Sequence, residues 1–460
     1  MPERSLPGFV PPSSPLSPRL AFRKLSPLIG ALVRYADLDP WEHDTRTLPR
    51  AVALHRRKLR AFAERHLAPV ALAVDAEPHA APGSLGEASR RVLVAAAREG
   101  LLSDLLPAPF GSADPRLFAY PLALASSIKT EELAAVDGGL MLLVSAHGLG
   151  VAPVILSGDL GALRRVVIPA FRASLAGDPH VFAFAITEPA AGSDVEDGHG
   201  ASLHRPGVVA CPRGDGFVLQ GRKCFISGGD IARWVTVFAA LEGEGMASWT
   251  AFLVDTRTEG FRVARNELKM GMRASGAAEL ELDDVFVPRE RVIGGLRGGW
   301  ALNRATLTMS RIPVAAMGVG LARAATDAAI EFACSQQLGN KPLIAYQEVQ
   351  LAIADMLAET QAARATVWAA ARRPQALQRE ASAAKIVGTD TALRVCARAM
   401  DLLGNHALTH GARVEKAWRD ARLTQIFEGT NQINRLAMVE DLHEQILLTV
   451  ARLGRNGDPR

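Results

Sequence analysis

The residues best suited to chemistry stand near the C-terminus, where Glu428-Gly429-Thr430-Asn431 breaks two helix-compatible stretches, one from Trp418 to Phe427 and one starting around Gln432. A carboxylate at such a junction, next to a glycine that lets another molecule approach the backbone closely, has the means to take a proton from a substrate. The same residue also fits a purely structural role, as a first-turn carboxylate favoured by the helix dipole. A second candidate is Phe184-Ala185-Ile186-Thr187-Glu188-Pro189-Ala190-Ala191-Gly192-Ser193-Asp194, a strand end followed by small residues. Its backbone N–H groups and the Thr187 and Ser193 hydroxyls suit an anionic ligand, although a structural turn has the same composition. A third is Arg311, an isolated cation in the very apolar stretch from Ala301 to Cys334. A buried charge must be paired or line a wet cavity, because leaving it unpaired is costly.

Three blocks of chain must position these residues. From about Leu48 to Phe171, Ala, Leu and Arg recur at spacings of three and four, with breaks at Pro and Gly such as Leu106-Pro107-Ala108-Pro109, which predicts packed helices. Between Val181 and Pro288 short β-rich runs such as Trp234 to Phe238 and Ala251 to Val254 alternate with Gly and Asp turns, and Leu280, Leu282, Val285 and Val287 show the period of a half-buried strand. After Gly294-Gly295 helices return: Val349, Ile353, Met356, Thr360, Ala363 and Val367 form one stripe, and the stretch from Ala301 to Cys334, apolar nearly all round, predicts a central covered helix. The expected class is α+β: an N-terminal helical domain over 47–180, a middle β-barrel-like or sandwich domain over 181–291, and a C-terminal four-helix bundle over 292–460. Residues 1–46 read as a disordered extension. Its first 36 residues carry a single acid, Glu3, and loosely suggest a transit peptide, but Pro7, Pro11, Pro12, Pro15 and Pro18 would break the amphipathic helix such a peptide needs.

Composition narrows the classes further. With 460 residues, 48% hydrophobic and 22% charged, the chain can bury a large core, and its net charge of +4 is spread among acids rather than clustered, which disfavours nucleic acid. Cys211, Cys224, Cys334 and Cys396 lack metal-site spacing and read as separate reduced thiols, so no metal is expected. Each apolar run is read as interrupted by Arg or Asp, so a soluble protein without a membrane span is expected. Gly318-Val319-Gly320 lacks the third glycine of a dinucleotide fingerprint and lies in a helical run, where helix packing explains it better. Gly216 to Lys223 has a P-loop spacing, but Arg222 occupies the lysine position, and there is neither a GxSxG elbow nor an HExxH.

Taken in order, these segments resemble the acyl-CoA dehydrogenase family over nearly everything from Leu48 to Leu447. The matching segments are Phe184 to Asp194; Lys223-Cys224-Phe225-Ile226-Ser227-Gly228-Gly229; Leu268 to Ser275 with Asp283 to Pro288; Thr308-Met309-Ser310-Arg311; and Glu428-Gly429-Thr430 with Gln432. The resemblance implies an FAD enzyme that dehydrogenates an acyl-CoA thioester to the trans-2-enoyl-CoA, with Glu428 taking the α-proton, hydride passing to flavin N5, and electrons going on to an electron-transfer flavoprotein. It implies FAD contacts from Phe184, Ile186, Thr187, Gly192, Ser193, Phe225, Ile226, Ser227, Asp401, Asn405, Thr430 and Gln432, with Phe225 against the flavin ring. It further implies substrate contacts from Ser193, Thr308, Arg311 and Gly429, with the pocket floor around Leu140 to Leu149. Some relatives carry the catalytic Glu immediately before the arginine; Ser310 stands there, so the base falls to Glu428.

A homodimer or homotetramer and a bacterial cytoplasmic location are expected, with the mitochondrial matrix as second choice. Two departures bear on the cofactor. Ser335-Gln336-Gln337-Leu338-Gly339 lacks the family's arginine, and Gly404-Asn405-His406-Ala407 with Asp401 replaces its Gly-rich loop and glutamine, which implies altered FAD contact across a dimer. The rival readings are an oxygen-using acyl-CoA oxidase and a flavin-bearing, DNA-binding relative of the alkylation-response type.

Overall fold

The structure, a computed structural model, describes residues 39–456 apart from 43, 80, 82 and 197. The chain begins with helices α1 (Arg50–Phe62), α2 (Glu87–Arg98), α3 (Leu122–Ala134), α4 (Gly138–Leu156) and α5 (Ile168–Leu175). In α1, Val52, Arg56, Leu59 and Phe62 are buried at spacings of four and three, so one stripe faces the core and carries a guanidinium into it. Helix α4 starts where the Asp137 carboxylate accepts the Leu140 N–H at 2.7 Å. Its 19 residues hold no charge, which corrects the expectation that Arg or Asp interrupts every apolar run. Among the described residues, both α4 and the helix over Gly299–Ser335 are long and apolar enough to cross a membrane, yet more than half of each apolar window is buried in the protein core.

Eight strands follow: β1 (Phe182–Ala185), β2 (Val209–Arg213), β3 (Gly216–Ser227), β4 (Trp234–Leu241), β5 (Thr250–Asp255), β6 (Phe261–Asn266), β7 (Ala277–Pro288) and β8 (Val292–Ile293). They form one mixed sheet in the order β6-β7-β3-β2-β4-β5-β8, with β1 paired in parallel to β4. Leu280, Leu282, Val285 and Val287 are all buried, and the shift from even to odd numbers falls where Asp283 and Asp284 break the alternation.

The chain then enters α6 (Gly299–Ser335), α7 (Gln347–Ala371), α8 (Gln378–Leu403), α9 (Arg413–Thr424) and α10 (Asn431–Asn456). The 37-residue α6 runs through the centre and touches α3, α4, α7, α8 and α9. Gly318 explains the close crossing of α6 and α8, since a Cβ there would lie 2.6 Å from the Gly388 carbonyl oxygen. The glycine pair at 318 and 320 is therefore packing, as its helical setting predicts.

Charge also joins the two helical regions. Glu131 and Glu132 of α3 are buried, and Arg323 of α6 reaches them at 2.6 and 2.8 Å; Arg56 meets Glu132 at 2.8 Å and Arg364 of α7 meets Glu131 at 2.8 Å. Burial alone would raise Glu132, but the guanidiniums of Arg323, Arg56 and Arg60 bring its carboxyl down to about 2. The extension expected over 1–46 lies outside the described residues up to 38, but from Asp39 onward it is corrected. Trp41 is 2% exposed, its indole N–H donates to Asp327 at 2.7 Å, and its carbonyl accepts from Arg364 at 2.9 Å.

Candidate active site

Helices α3, α4 and α6 enclose a cavity of about 390 Å³. Met141, Ser145 and Leu149 face it at four-residue spacing from α4, and Met309, Ser310, Pro313, Val314 and Met317 face it from α6. Phe427 and Glu428 close one wall. Met141 to Leu149 thus lies where the pocket floor is expected. Thr308 does not line this cavity: at its turn of α6 the hydroxyl points back to the Arg304 carbonyl at 2.8 Å, and Met309 and Ser310 take the facing positions.

Glu428 sits in the break between α9 and α10 with φ of +57°, followed by Gly429 at +80°. A non-glycine residue in this region is strained and persists only if its surroundings fix it. Several contacts do so. Asn431 N–H donates to the Gln425 carbonyl at 2.9 Å, Thr430 N–H donates to Ser193 Oγ at 3.1 Å, and Thr430 Oγ1 accepts the Ile433 N–H at 3.2 Å, capping α10. A Cβ on Gly429 would meet Glu196 Oε2 at 2.5 Å, so the turn needs glycine there for space as well as for φ.

The Glu428 carboxylate accepts a hydrogen bond from Ser310 Oγ at 2.5 Å. Burial pushes its carboxyl up to about 7, with Glu196 adding to the rise and Ser310, Arg311 and Lys385 opposing it. A carboxyl poised near neutrality beside an apolar cavity is matched to removing a proton from a weakly acidic carbon. Arg311, 4% exposed, is paired rather than free: it donates to Glu196 at 2.8 Å and to Ser382 Oγ at 3.2 Å. It therefore stands behind the Glu428 turn and does not line the cavity wall, the paired outcome of the two that its isolation allows.

Three segments expected to act together do converge. Ser193 of the loop after β1 reaches Thr430, and Cys224 N–H donates to the Thr187 carbonyl at 2.9 Å, bringing β3 beside that loop. Phe225 projects from β3 at φ +57° and is 61% exposed. Thr187 and Ser227 flank it, half-buried, and neither hydroxyl has a hydrogen-bond partner among the described residues. An exposed ring beside two unpartnered hydroxyls fits a flat, partly polar ligand. Phe184 and Ile226 instead turn their side chains into the core, Phe184 against Phe238 at 5.2 Å, which leaves only their backbone for such a ligand. Gly192 donates to Asp194 at 2.7 Å, Ile186 gives its carbonyl to Lys223 at 2.9 Å, and Gln432 is exposed. Asp401 and Asn405 are not brought to this site. Both are exposed: Asp401 lies near the far end of α8, about 24 Å of helix beyond the residue that touches the Glu428 turn, and Asn405 lies in the turn that follows.

Sequence reasoning passed over Ser310 as a partner of Glu428, and also Glu196 and Lys385. The signal for Lys385 was available: like Arg311, it is a lone cation in an apolar helical run, Ala383-Ala384-Lys385-Ile386.

Comparison with known proteins accounts for this arrangement. Models of the N-terminal, middle and C-terminal domains of acyl-CoA dehydrogenases match residues 52–168, 183–285 and 297–443. Cyclohex-1-ene-1-carbonyl-CoA dehydrogenase of Geobacter metallireducens is 35% identical over 384 residues, 82% of this chain and 94% of its own. The chain belongs to the acyl-CoA dehydrogenase family. Butyryl-CoA dehydrogenase of Megasphaera elsdenii has the same fold, with a TM-score of 0.77 and 28% identity over 86% of this chain and 99% of its own. A chain in the structure described as the electron transferring flavoprotein of Acidaminococcus fermentans is similar too, with a TM-score of 0.76 and 28% identity over 88% and 99% of the two chains. As an acyl-CoA dehydrogenase, the protein is an FAD-dependent oxidoreductase acting on the CH–CH bond of an acyl-CoA. The Phe225, Thr187 and Ser227 surface suits the ring end of that cofactor.

Replacing Ser310 by Ala removes a hydrogen bond that favours the carboxylate form of Glu428. Such a bond contributes roughly 1.5 kcal/mol, about one pKa unit, so flavin reduction below pH 7 is expected to slow about tenfold with little change at high pH. Stopped-flow absorbance across pH checks this; an equal slowing at every pH would show that Ser310 acts in another way.

Proposed function

We propose that Glu428 is the base that removes the α-proton when this enzyme converts an acyl-CoA to the trans-2-enoyl-CoA. One observation carries the reading: a carboxylate raised to about 7 stands in the wall of an apolar cavity on a strained, tightly fixed turn. Ser310 holds this carboxylate, and the proton passes to its oxygen. The Glu428 backbone N–H has no acceptor among the described residues, which supports it as a donor to the thioester carbonyl, where negative charge grows as the proton leaves. FAD, when bound, would supply the hydride acceptor, and Thr187, Ser193, Phe225, Ser227 and Thr430 would hold it. Ser193 and Gly429 remain the substrate-contact residues nearest Glu428, whereas Arg311 supports the turn from behind. The electron acceptor in this reading is an electron-transfer flavoprotein, in keeping with the similar chain from Acidaminococcus fermentans.

The bacterial sources of these relatives support a cytoplasmic location. Exposed Leu436, Val439, Leu442 and Ile446 along α10 support a homodimer or homotetramer. Gln336, Asp401 and Asn405, all exposed, would then present the altered cofactor contacts to a second copy.

Anaerobic titration with a panel of linear, branched and cyclic acyl-CoAs, followed by flavin absorbance, tests the function; no bleaching with any of them would overturn it. Because the base must be ionised to accept a proton, flavin reduction should rise with pH through about 7 and level off above. A rate independent of pH across that region would remove Glu428 from the role.

A further inference from the structure

Behind the Glu428 turn lies a cation with no ion pair. Lys385 of α8 is 0% exposed, and among the described residues no carboxylate lies within 4 Å of its Nζ. It donates instead to the Gly429 carbonyl at 2.6 Å and to Asn431 Oδ1 at 2.9 Å. Asn431 is itself held by Thr389 Oγ1 at 2.9 Å and Asp390 at 2.7 Å, and Asn434 Nδ2 shares the Gly429 carbonyl at 2.9 Å. A buried ammonium without a direct ion pair is a poor stabilising device, since a neutral polar or apolar residue in its place would avoid the desolvation cost. Its two bonds nevertheless fasten the chain just after the strained Glu428, at the carbonyl of Gly429, itself at φ +80°, and at the side chain of Asn431.

We propose that Lys385 is a positioning residue for Glu428: it clamps the Gly429 carbonyl and the Asn431 side chain, and its charge favours the ionised Glu428 carboxylate. This rests on the reading of Glu428 as the base. The groups facing Lys385 are Glu196 and Arg311, from the loop after β1 and from α6, Asp390 from its own helix, and Glu428 itself. Glu196 and Arg311 are paired with each other at 2.8 Å, and the positive charge of Lys385 acts on Glu196 first and on Glu428 next. Burial lowers Lys385 to about 7, with Glu196 and Glu428 resisting the fall, so lysine and glutamate titrate in the same range and each favours the charged form of the other.

The test uses the holoenzyme with Lys385→Met, which keeps chain length without charge, and Lys385→Gln, which keeps a donor for the Gly429 carbonyl without charge. Protonation of residue 428 is read by infrared difference spectroscopy against Glu428→Gln in the same background, alongside the pH dependence of single-turnover flavin reduction. In both variants the carboxyl midpoint and the acid limb of the rate profile should move up by about one pH unit. Wild-type midpoints in either folded variant, with only thermal stability reduced, would overturn the proposal and leave Lys385 a structural residue. If Glu428→Gln alone kept the wild-type reduction rate, the assignment of the base would fail instead, while a moved infrared midpoint would still report the clamp.

Discussion

Replacing Glu428 by Gln should leave FAD content and folding unchanged while slowing reduction of the flavin by acyl-CoA about a thousandfold or more, within the range lost when a positioned general base is removed. The amide is nearly isosteric and can still accept the Ser310 hydrogen bond, so the turn keeps its shape. What it lacks is affinity for a proton. Glu196 is the carboxylate that acts on Glu428, but it is committed to Arg311 and lies outside the cavity wall, so it is not placed to substitute. Anaerobic stopped-flow bleaching measures the effect directly. A loss below about tenfold would mean that another group takes the α-proton.

The largest expected effect on stability is at Arg323. Arg323→Met should destabilise the fold by about 3–5 kcal/mol, because it strips the guanidinium shared by two buried carboxylates, Glu131 and Glu132. Arg56, Arg60 and Arg364 remain, yet each already serves one side of the cluster. The dependence on pH has a definite sign. Glu132 is held at about 2, below its ordinary 4.5, so its pairing contributes stability above 4.5 that is lost as pH falls towards 2. Removing Arg323 lets Glu132 take a proton at higher pH, and acid unfolding should begin earlier. Trp41 and Trp368, whose rings lie beside Arg323 and Arg364, offer a fluorescence signal for both the denaturant midpoint and the acid transition. Equal midpoints in variant and wild type would show that the remaining arginines suffice.

The helix, sheet, helix order was legible because each block has its own period: three and four around Val349 to Val367, two at Leu280 to Val287. The run from Gly138 to Leu156 was read as interrupted by charge although it carries none, and an uncharged run has the same appearance in a membrane span and in a helix buried on all sides. Only its packing against β1 tells them apart: a Cβ on Gly150 would lie 2.7 Å from the Phe182 and Ala183 backbone. At the site, the break and glycine at Glu428 fitted a structural carboxylate as well as a base, so its role came from the family resemblance, whereas Arg311 stood out by its isolation. Thr308 could not be distinguished from Met309 and Ser310, because neighbouring positions on a helix differ in facing by about 100° and sequence does not say which way the helix is turned. Lys385 offered only its isolation in an apolar run as a signal, because its partners are backbone and amide groups, which leave no complementary charge in the sequence.

The walls around the acyl cavity come from opposite ends of the chain, α3 and α4 on one side, α6 and the Glu428 turn on the other, with the whole sheet intervening. A polypeptide emerging from the ribosome can therefore form its sheet and first helices long before it has anywhere to hold a fatty tail. The apolar faces of Met141 and Leu149 lack their opposite wall until α6 has been made, so the stretch of synthesis between α4 and α6 is the interval in which the nascent protein most needs shielding from its neighbours.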